Sequence, residues 1–331
     1  MLTKETVYCE KCHINPTPWP CAINSQYEIR IKIGKGNYGS VFKGKDVIAD
    51  QDVAIKIEKA VMCKSVKTEA EVYKVLHQKL TAGETSGGGM EESVGIPHIY
   101  WFGTGFLWDK VYYNILVMEN LGSDLDKLLL QRGGIGIFST KTVLMLAEQI
   151  LDRIEFVHQR NYIHRDIKPE NFLMGLGESE GIVYLADYGI AKKNDEKYEE
   201  DVIVWGTPKF ASINTHLGIS QSRRDDMVSI GYSLMLFLKG TLPWYKLKGW
   251  KNIGEAKKAT PVEDICKGCP IEFHMYLHYC YGLQFDEKPD YDYLRKLFKK
   301  LFHELGYEYD WEFDWTWDFT PGSEESYSID D

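Results

Sequence analysis

The stretch that decides the fold is His164-Arg-Asp-Ile-Lys-Pro-Glu-Asn171. It combines a carboxylate, Asp166, with a lysine two residues later, Lys168, and an amide five residues later, Asn171. Any polar loop could contain these residue types. In phosphoryl transfer, however, such a carboxylate accepts the proton of the attacking hydroxyl, the lysine offsets charge on the transferred group, and the amide oxygen coordinates Mg²⁺. We therefore interpret the segment as a candidate catalytic loop.

A second acidic motif, Asp187-Tyr-Gly189, follows the apolar residues Val183-Tyr-Leu185. An aspartate at a strand end and beside a glycine can be a simple turn. Its position downstream of Asp166 is also that of a carboxylate holding Mg²⁺ against the β- and γ-phosphates of a nucleotide. The sequence thus predicts a metal site formed by Asn171 and Asp187.

A glycine-rich segment, Gly34-Lys-Gly-Asn-Tyr-Gly39, lies upstream between two stretches with strand character. Its spacing alone fits a plain hairpin turn or a dinucleotide-binding loop. The dinucleotide-binding version needs a helix directly after the glycines and an acidic residue ~20 positions on. Here a strand containing Val41 follows, and the later position is occupied by Lys56. We interpret the segment as a hairpin over nucleotide phosphates, whose backbone N–H groups can approach the oxygens because side chains are missing.

Lys56 lies in the strand pattern Val53-Ala-Ile-Lys-Ile57. A lysine between two isoleucines usually points to solvent. If it faces a crevice instead, it needs an acidic partner to hold it near phosphates. Glu69 and Glu71, on a helix predicted from about Ser65 to Lys79, are the candidates. We favour Glu69, although the spacing leaves Glu71 open.

The hydrophobic pattern changes along the chain. Tyr27–Ile33 alternates apolar and polar residues, and Tyr112–Met118 also has strand character. Beyond Gly122, apolar residues from Val143 to Val157 recur at helical spacing. Further helices are expected at about 225–239, 271–282 and 291–304. Strands followed by helices predict an α+β protein with two lobes and a ligand crevice between them.

Together these motifs resemble the casein kinase 1 family of eukaryotic protein kinases. Most kinases carry Ala-Pro-Glu after the activation segment, whereas this chain has Ser212-Ile-Asn214, as casein kinase 1 does. Vaccinia-related kinases are the alternative, partly because of the Asp-Tyr-Gly motif. The resemblance extends from about Tyr27 to Trp315 and is strongest in four segments: 164–177, 210–218, 221–226 and 288–295.

This resemblance implies a bilobal protein-kinase fold, with a small β-rich N-lobe and a larger, mainly helical C-lobe, that uses ATP and Mg²⁺ to phosphorylate serine and threonine hydroxyls. Asp166 would be the catalytic base and Lys168 the γ-phosphate contact. Lys56 would pair with Glu69 and contact the α- and β-phosphates. The implied nucleotide pocket comprises Ile33, Gly34, Gly36, Gly39, Val41, Ala54, Lys56, the gatekeeper Met118, the hinge residues Glu119 and Leu121, and Leu173. Asn171 and Asp187 would be the metal ligands, and Asp226 would brace the catalytic loop.

The expected organisation follows from this resemblance. Residues 1–26 form an N-terminal extension, 27–121 the N-lobe, 122–319 the C-lobe and 320–331 a short acidic tail. A polar, glycine-rich stretch at about 81–95 is expected to be a mobile loop insertion in the N-lobe.

Two regions depart from the family pattern. The activation segment Asn194–Asp201 is acidic and short, and the stretch Tyr245–Ala259 is shorter than usual. Casein kinase 1 favours protein sites with an acidic or phosphorylated residue three positions before the target, read by basic residues. Lys209 and the pair Arg223-Arg224 are present here. Because an acidic wall repels acidic peptides, we expect weakened selection for primed substrates.

The chain of 331 residues has a formal net charge of −10. Nine acidic residues and no lysine or arginine follow Tyr307, so the remaining 40 acids and 39 bases nearly cancel. We expect the last stretch to be a solvated tail, or an autophosphorylation site at its serines, and the aromatics of Trp311–Trp317 to pack on the C-lobe. The charge and hydropathy predict a protein without a specific nucleic-acid partner or a membrane span.

The N-terminal residues lack the charged and apolar regions of a secretion signal, so we expect a monomeric protein in the cytoplasm, or also in the nucleus. Two cysteine pairs, Cys9/Cys12 and Cys266/Cys269, could bind zinc, but they lie far apart and we predict no zinc site. A pseudokinase scaffold is the alternative function. It is disfavoured because the lysine, the base and the metal-binding aspartate are all present.

Overall fold

A computed structural model provides the fold, and it describes most of the chain. The N-terminal extension up to residue 22, the glycine-rich stretch 81–93, Gly36 and the acidic tail lie outside the described residues. The described ranges are 23–35, 39–60, 65–78, 94–107, 111–131, 136–195 and 197–316.

The first part of the chain forms an antiparallel five-stranded sheet whose order is β1-β2-β3-β5-β4. One helix, α1 (Ser65–Leu76), follows the third strand and packs against the sheet. The strands are β1 Tyr27–Lys35, β2 Ser40–Asp46, β3 Gln51–Lys59, β4 Ile99–Phe106 and β5 Tyr112–Glu119.

Strand β3 separates two environments because its side chains alternate between the faces of the sheet. Val53, Ile55 and Ile57 are buried in a small apolar core on one face, together with Phe42 of β2. Lys56 therefore lies on the opposite face. The alternation that commonly turns a lysine toward water here turns it toward the rest of the protein.

The second part of the chain is mainly helical. A long central helix, α3, is buried along most of its length, and the side chain of Ser139 caps its N-terminus by accepting from Thr142 N–H. The helices are α2 Leu125–Gln131, α3 Thr140–Gln159, α4 Ile213–His216, α5 Arg223–Lys239, α6 Trp250–Ala259, α7 Val262–Ile265, α8 Ile271–Gly282 and α9 Tyr291–Glu304.

Two small antiparallel ladders carry the loops between α3 and α5. In one, β6 (Tyr162–Ile163) pairs with β9 (Lys192–Lys193), and in the other, β7 (Phe172–Met174) pairs with β8 (Val183–Leu185). The candidate catalytic loop, His164–Asn171, begins directly after β6, and the Asp187-Tyr-Gly189 motif follows β8. The ladders therefore set the two acidic motifs of the sequence side by side.

The predicted α+β architecture, a small β-rich lobe followed by a larger helical lobe, is confirmed. Helices α8 and α9 have the predicted bounds, and α5 begins two residues earlier than expected. Strand β4 and helix α6 were not predicted. Helix α6 falls within the stretch that looked shortened in sequence, Tyr245–Ala259, so a helix remains there.

The aromatic segment after α9 packs on the helical lobe, as its composition predicted. Phe313 is buried and stacks on Trp315, which in turn contacts Phe138. Asp314 accepts from the backbone N–H of Ser139, next to the start of α3. Trp311 is instead half exposed. Among the described residues, no helix is long and apolar enough to cross a membrane.

Candidate active site

The loop after β6 is held by a single carboxylate at the start of α5. Asp226 accepts hydrogen bonds from the backbone N–H groups of His164 (2.7 Å) and Arg165 (2.9 Å), and from Nε2 of His158 (2.9 Å). Arg165 has a left-handed backbone conformation with φ 69°, which residues other than glycine rarely adopt. The buried carboxylate of Asp226 thus stabilises a strained turn, in the bracing position that the sequence predicted.

The neighbouring carboxylate, Asp225, holds a different segment. It accepts from Ser212 Oγ and, at 2.7 Å, from the backbone N–H of Ser222. Burial raises the pKa of Asp225 to about 6 despite these bonds. Burial acts in the same direction on Asp226, but the bond from His158 and its other donors lower the pKa of Asp226 below its ordinary value. Two adjacent aspartates therefore differ in the direction of their pKa shift because their donors differ.

The side chain of Lys56 joins the two lobes. Its Nζ lies 2.7 Å from Oε2 of Glu69 on α1 and 2.7 Å from Oδ1 of Asp187, which follows β8. Burial opposes the charge on Lys56, but Asp187 and Glu69 together raise its pKa, so the ammonium stays protonated. The structure thereby brings together three of the residues singled out in the sequence.

The alternative partner, Glu71, lies away from this cluster. It is exposed and faces Lys67, with 3.9 Å between their charged atoms. Glu69 is buried because it lies on the face of α1 that also carries Tyr73, one helical turn later. A second carboxylate that the sequence did not single out, Glu58, accepts from the backbone N–H of Val66 (3.0 Å) and so fixes the start of α1.

The Asp-Tyr-Gly motif is packed into the helical lobe. Tyr188 is fully buried, donates its hydroxyl to the Leu185 carbonyl oxygen, and makes edge contacts with Tyr73 and His164, each with 4.9 Å between ring centroids. Gly189 lies close to α1, because a Cβ there would be 2.1 Å from Ser65 Oγ and the serine hydroxyl would have to turn away to admit it. This packing fixes the residue before it, Asp187.

The carboxylate of Asp166 is surrounded by donors. Thr207 donates its hydroxyl to Oδ1 (2.7 Å), and Lys168 Nζ lies 2.9 Å from Oδ2 and 3.2 Å from the Thr207 hydroxyl. The Asn171 side-chain N–H₂ donates to the Asp166 carbonyl oxygen (2.8 Å). The sequence motifs did not point to Thr207 as a partner of Asp166, because 41 residues separate the two.

The residues expected around a nucleotide base share one face of the sheet. In the β-ladders, Val41 is the cross-strand partner of Lys56, and Ala54 is the partner of Met118. Because cross-strand partners project to the same side, these side chains line the face that carries Lys56. Leu173, on β7, bridges to Asp124 just after the hinge residues Glu119 and Leu121. Ile33 is half exposed on β1.

The glycines of the hairpin differ in what surrounds them. At Gly39 a Cβ would lie 2.2 Å from the Ile57 carbonyl oxygen, so packing on β3 already demands glycine there. Gly34 faces Val41 at an ordinary contact distance. Gly36 lies outside the described residues. The phosphate-binding interpretation of this loop therefore stays a prediction, and Gly39 has a structural reason of its own.

The expected metal ligands fit a hard cation. Asn171 donates its amide N–H₂ to the backbone carbonyl oxygen of Asp166, and its Oδ1 atom takes no part in that bond. The cleft walls desolvate Asp187, yet Lys56 lowers the pKa of Asp187 to about 2, so the carboxylate is ionised. A carboxylate and an amide oxygen are donors that Mg²⁺ accepts.

The cysteine pair Cys266/Cys269 lies on the far side of the helical lobe, beyond α7. Both thiols are free, and burial raises the pKa of each. The described residues contain no group of three or more histidine, cysteine or acidic side chains that could hold a metal ion. Cys9 and Cys12 lie outside the described residues.

Comparison with known protein families identifies the chain. Residues 27–303 match the family model described as "Protein kinase domain". The match covers both lobes and the loops that carry Lys56, Asp166 and Asp187. The chain belongs to the protein kinase family, and it is therefore an ATP-using enzyme that transfers phosphate to proteins.

We expect Glu69→Gln to lower kcat/KM for phosphate transfer about 10- to 100-fold, because a charge-assisted hydrogen bond to Lys56 contributes about 1.5–3 kcal/mol. The matched control is Glu71→Gln, two residues away on the exposed face of α1, which should change kcat/KM less than about twofold. Steady-state kinetics on both variants measure this. Equal losses of kcat/KM in the two variants would show that the effect does not come from the Lys56–Glu69 ion pair.

We expect the difference in unfolding free energy between the wild type and Asp225→Asn to depend on pH. The pKa of Asp225 is raised by folding, so its protonation stabilises the native state at low pH and this contribution is lost as pH rises through about 6. Between pH 4.5 and 7 the difference should fall by about 2 kcal/mol. Urea unfolding of both proteins measures it, and a difference that is constant or rises with pH would contradict the assignment.

Proposed function

We propose that this kinase transfers the γ-phosphoryl group of ATP to serine and threonine hydroxyls, that Asp166 is its catalytic base, and that it is casein kinase 1-like. The observation that carries the proposal is the arrangement around Asp166: Thr207 and Lys168 hold its carboxylate, and Asn171 holds its backbone. A base must be oriented before a substrate hydroxyl can use it, and these three contacts supply that orientation.

The proposed chemistry at Asp166 follows from acceptor geometry. A substrate hydroxyl that donates to the carboxylate gives up its proton as its oxygen bonds to the γ-phosphorus of ATP. The bond to the β-phosphate oxygen breaks in the same transfer, and ADP leaves. Lys168, already beside the carboxylate, offsets the negative charge of the transferred group. Thr207 keeps the acceptor oxygen in place throughout.

At the other end of the cleft, Lys56 is proposed to contact the α- and β-phosphates. Its charge is stabilised by Glu69, a buried carboxylate on α1 that lies 2.7 Å from the Lys56 ammonium. Asp187 contacts the same ammonium from the helical lobe. Positioning the phosphates in this way is the main task of a kinase, since the reaction needs little covalent chemistry from the protein.

The nucleotide-binding residues are proposed on the same basis. Gly34, Gly36 and Gly39 would cover the phosphates, and the adenine would lie between the sheet and Leu173. Supporting this are the shared face of Val41, Ala54 and Met118 and the register of the sheet. The full set is Ile33, Gly34, Gly36, Gly39, Val41, Ala54, Lys56, Met118, Glu119, Leu121 and Leu173.

Mg²⁺ is the proposed metal, with Asn171 and Asp187 as its ligands. When bound, it would neutralise charge on the β- and γ-phosphate oxygens. Asp187 contributes an ionised carboxylate, because Lys56 lowers its pKa to about 2. Asn171 contributes by being fixed to the Asp166 backbone, so the base and the metal ligands share one rigid loop.

The charged residues of the activation segment and of the expected phosphate-reading positions support the proposal that primed substrates are recognised weakly. Glu199, Glu200 and Asp201 of the activation segment are exposed. Of the basic residues expected to read a phosphate, Lys209 lies over the Tyr245 ring with its Nζ 3.8 Å from the centroid, and Arg224 is buried. Exposed acidic side chains repel an acidic peptide, and basic side chains that are already packed on the protein contribute less to binding it. Both effects disfavour the binding of an acidic peptide.

We further propose that the enzyme acts on protein substrates as a monomer, in the cytoplasm or also in the nucleus. The proposal includes no nucleic-acid partner, because outside the acidic C-terminal stretch the acidic and basic residues nearly cancel. A nucleic-acid-binding protein would need a strongly basic face.

The test of the proposed function is transfer of labelled phosphate from ATP to matched peptides that differ only in a serine, threonine or tyrosine acceptor. We expect Mg²⁺-dependent labelling of serine and threonine peptides and none of tyrosine. Asp166→Asn should lower kcat by at least about 100-fold with KM for ATP little changed. Equal labelling by the variant would point to a contaminating kinase, and tyrosine labelling would overturn the assignment.

We expect a peptide with phosphoserine three positions before the target to be phosphorylated with less than about threefold higher kcat/KM than its serine counterpart, because acidic residues flank the groove. A peptide array with serine, phosphoserine, aspartate and lysine at that position measures the preference. A strong enhancement by phosphoserine in the wild type would contradict the prediction. An enhancement that appears only in the Glu199→Lys variant would support it.

A further inference from the structure

Helix α6 carries a buried lysine that the proposed chemistry does not use. The side chain of Lys257 is completely buried, yet no carboxylate of the described residues lies within ion-pair distance of it. Burying an ammonium group without a counter-charge is costly unless other groups replace its hydration. Burial accordingly lowers the pKa of Lys257 well below its ordinary value, and the contacts of its Nζ atom indicate what this side chain holds in place.

The ammonium is held by carbonyl oxygens and aromatic rings. Lys257 Nζ donates to the carbonyl oxygen of Pro208 (2.8 Å) and to that of Ala211. It also lies 4.7 Å from the ring centroid of Tyr232 and 5.1 Å from that of Trp244. Carbonyl dipoles and the faces of aromatic rings both stabilise a cation that has lost its water.

Both carbonyl groups belong to one short loop, residues 207–211, which we call the substrate-facing loop. Two other side chains bind the same loop: the buried Trp244 donates its Nε1–H to the Lys209 carbonyl oxygen (2.8 Å), and the half-buried His216 donates its Nε2–H to that of Pro208 (3.1 Å). The inner carbonyl groups of the loop are thus taken up by donors from the helical lobe. Lys257 is the only one of these donors that binds two of them.

The first residue of the substrate-facing loop is Thr207, whose hydroxyl holds Asp166. The backbone carbonyl oxygen of Thr207 accepts from the N–H groups of Phe210 (2.9 Å) and Ala211 (3.0 Å), so the loop is a tight turn that ties Thr207 to Ala211. A displacement at Pro208 or Ala211 is therefore passed on to Thr207. Lys257 is connected to the candidate base through a short chain of hydrogen bonds.

We infer that Lys257 is a positioning residue, which fixes the substrate-facing loop so that Thr207 orients Asp166 and the polypeptide substrate meets a preformed surface. This inference rests on the proposed function. A role in stability alone is a poorer explanation, because an apolar side chain of similar size usually serves a buried site as well as a charge does. What an apolar side chain cannot do is hold two carbonyl groups in a defined orientation.

The test is Lys257→Met, which keeps the length of the side chain and removes its three N–H donors. The matched control is Lys258→Met, on the exposed side of α6. We expect Lys257→Met to raise KM for the peptide and lower kcat, reducing kcat/KM for the peptide at least about tenfold, with KM for ATP changed less than about twofold. Lys258→Met should resemble the wild type. Equal changes in both Michaelis constants, or equal behaviour of the two variants, would overturn the inference.

A double-mutant cycle with Thr207→Ala distinguishes positioning from general damage. If Lys257 acts through Thr207, Lys257→Met should reduce kcat much less in the Thr207→Ala background than in the wild type. Additive losses would show that the two residues act independently. Should Lys257→Met fail to fold, Trp244→Phe removes one donor to the same loop and keeps the ring, and it should shift KM for the peptide in the same direction. An unchanged KM in that variant would count against the inference.

Hydrogen exchange separates this inference from the proposed function. If the wild type does not phosphorylate serine or threonine peptides, the proposed function fails. The backbone amides of Thr207 and of residues 209–212 should still exchange at least about tenfold faster in Lys257→Met than in Lys258→Met. Unchanged exchange there would overturn the positioning role whatever the enzyme phosphorylates.

Discussion

The cluster of Lys56, Glu69 and Asp187 is the interaction on which the rest of the site depends. A carboxylate from α1 and a carboxylate from the helical lobe each lie 2.7 Å from the ammonium nitrogen of Lys56, which comes from the sheet. Removing one partner of such a buried group leaves an uncompensated charge, which is much more costly than losing a surface pair. The position of α1, the closure of the cleft and the charge of Asp187 are therefore tied to a single ammonium group.

Buried charges recur through the helical lobe, and each is bound to backbone. Asp226 binds the N–H groups of the catalytic loop, Asp225 binds the N-terminus of α5 and Ser212, and Lys257 binds carbonyl groups of the substrate-facing loop. In each case the segment is irregular, so its backbone N–H and C=O groups cannot pair with one another as they do in a helix or a sheet. A single ionisable side chain supplies their hydrogen-bond partner instead. The rigid helices α5 and α6 thus hold the segments that carry the chemistry.

Sequence reasoning predicted most of the fold and the main candidate residues. The helices with a clear apolar period, such as α3, α8 and α9, were found because burial on one face leaves a pattern in the chain. Strand β4 was missed because its side chains are mostly half-buried and its sequence has no clear alternation. Thr207 and Glu58 were missed as structural partners because their contacts join residues far apart in sequence, and no local pattern reports such contacts.

The sequence by itself determined the family, the order of the lobes and the residue types available for catalysis, since spacing within one loop or one strand is a local property. The tertiary structure decided between Glu69 and Glu71, because only the first lies on the buried face of α1. It also decided that Lys56 faces the cleft and that Gly39 is required by the backbone of β3. Finally, it placed Lys257 beneath the substrate-facing loop, where the buried amino group donates to the carbonyl groups of two residues distant in sequence. Such choices depend on which groups share a low-dielectric interior, and that is settled only when the whole chain has packed.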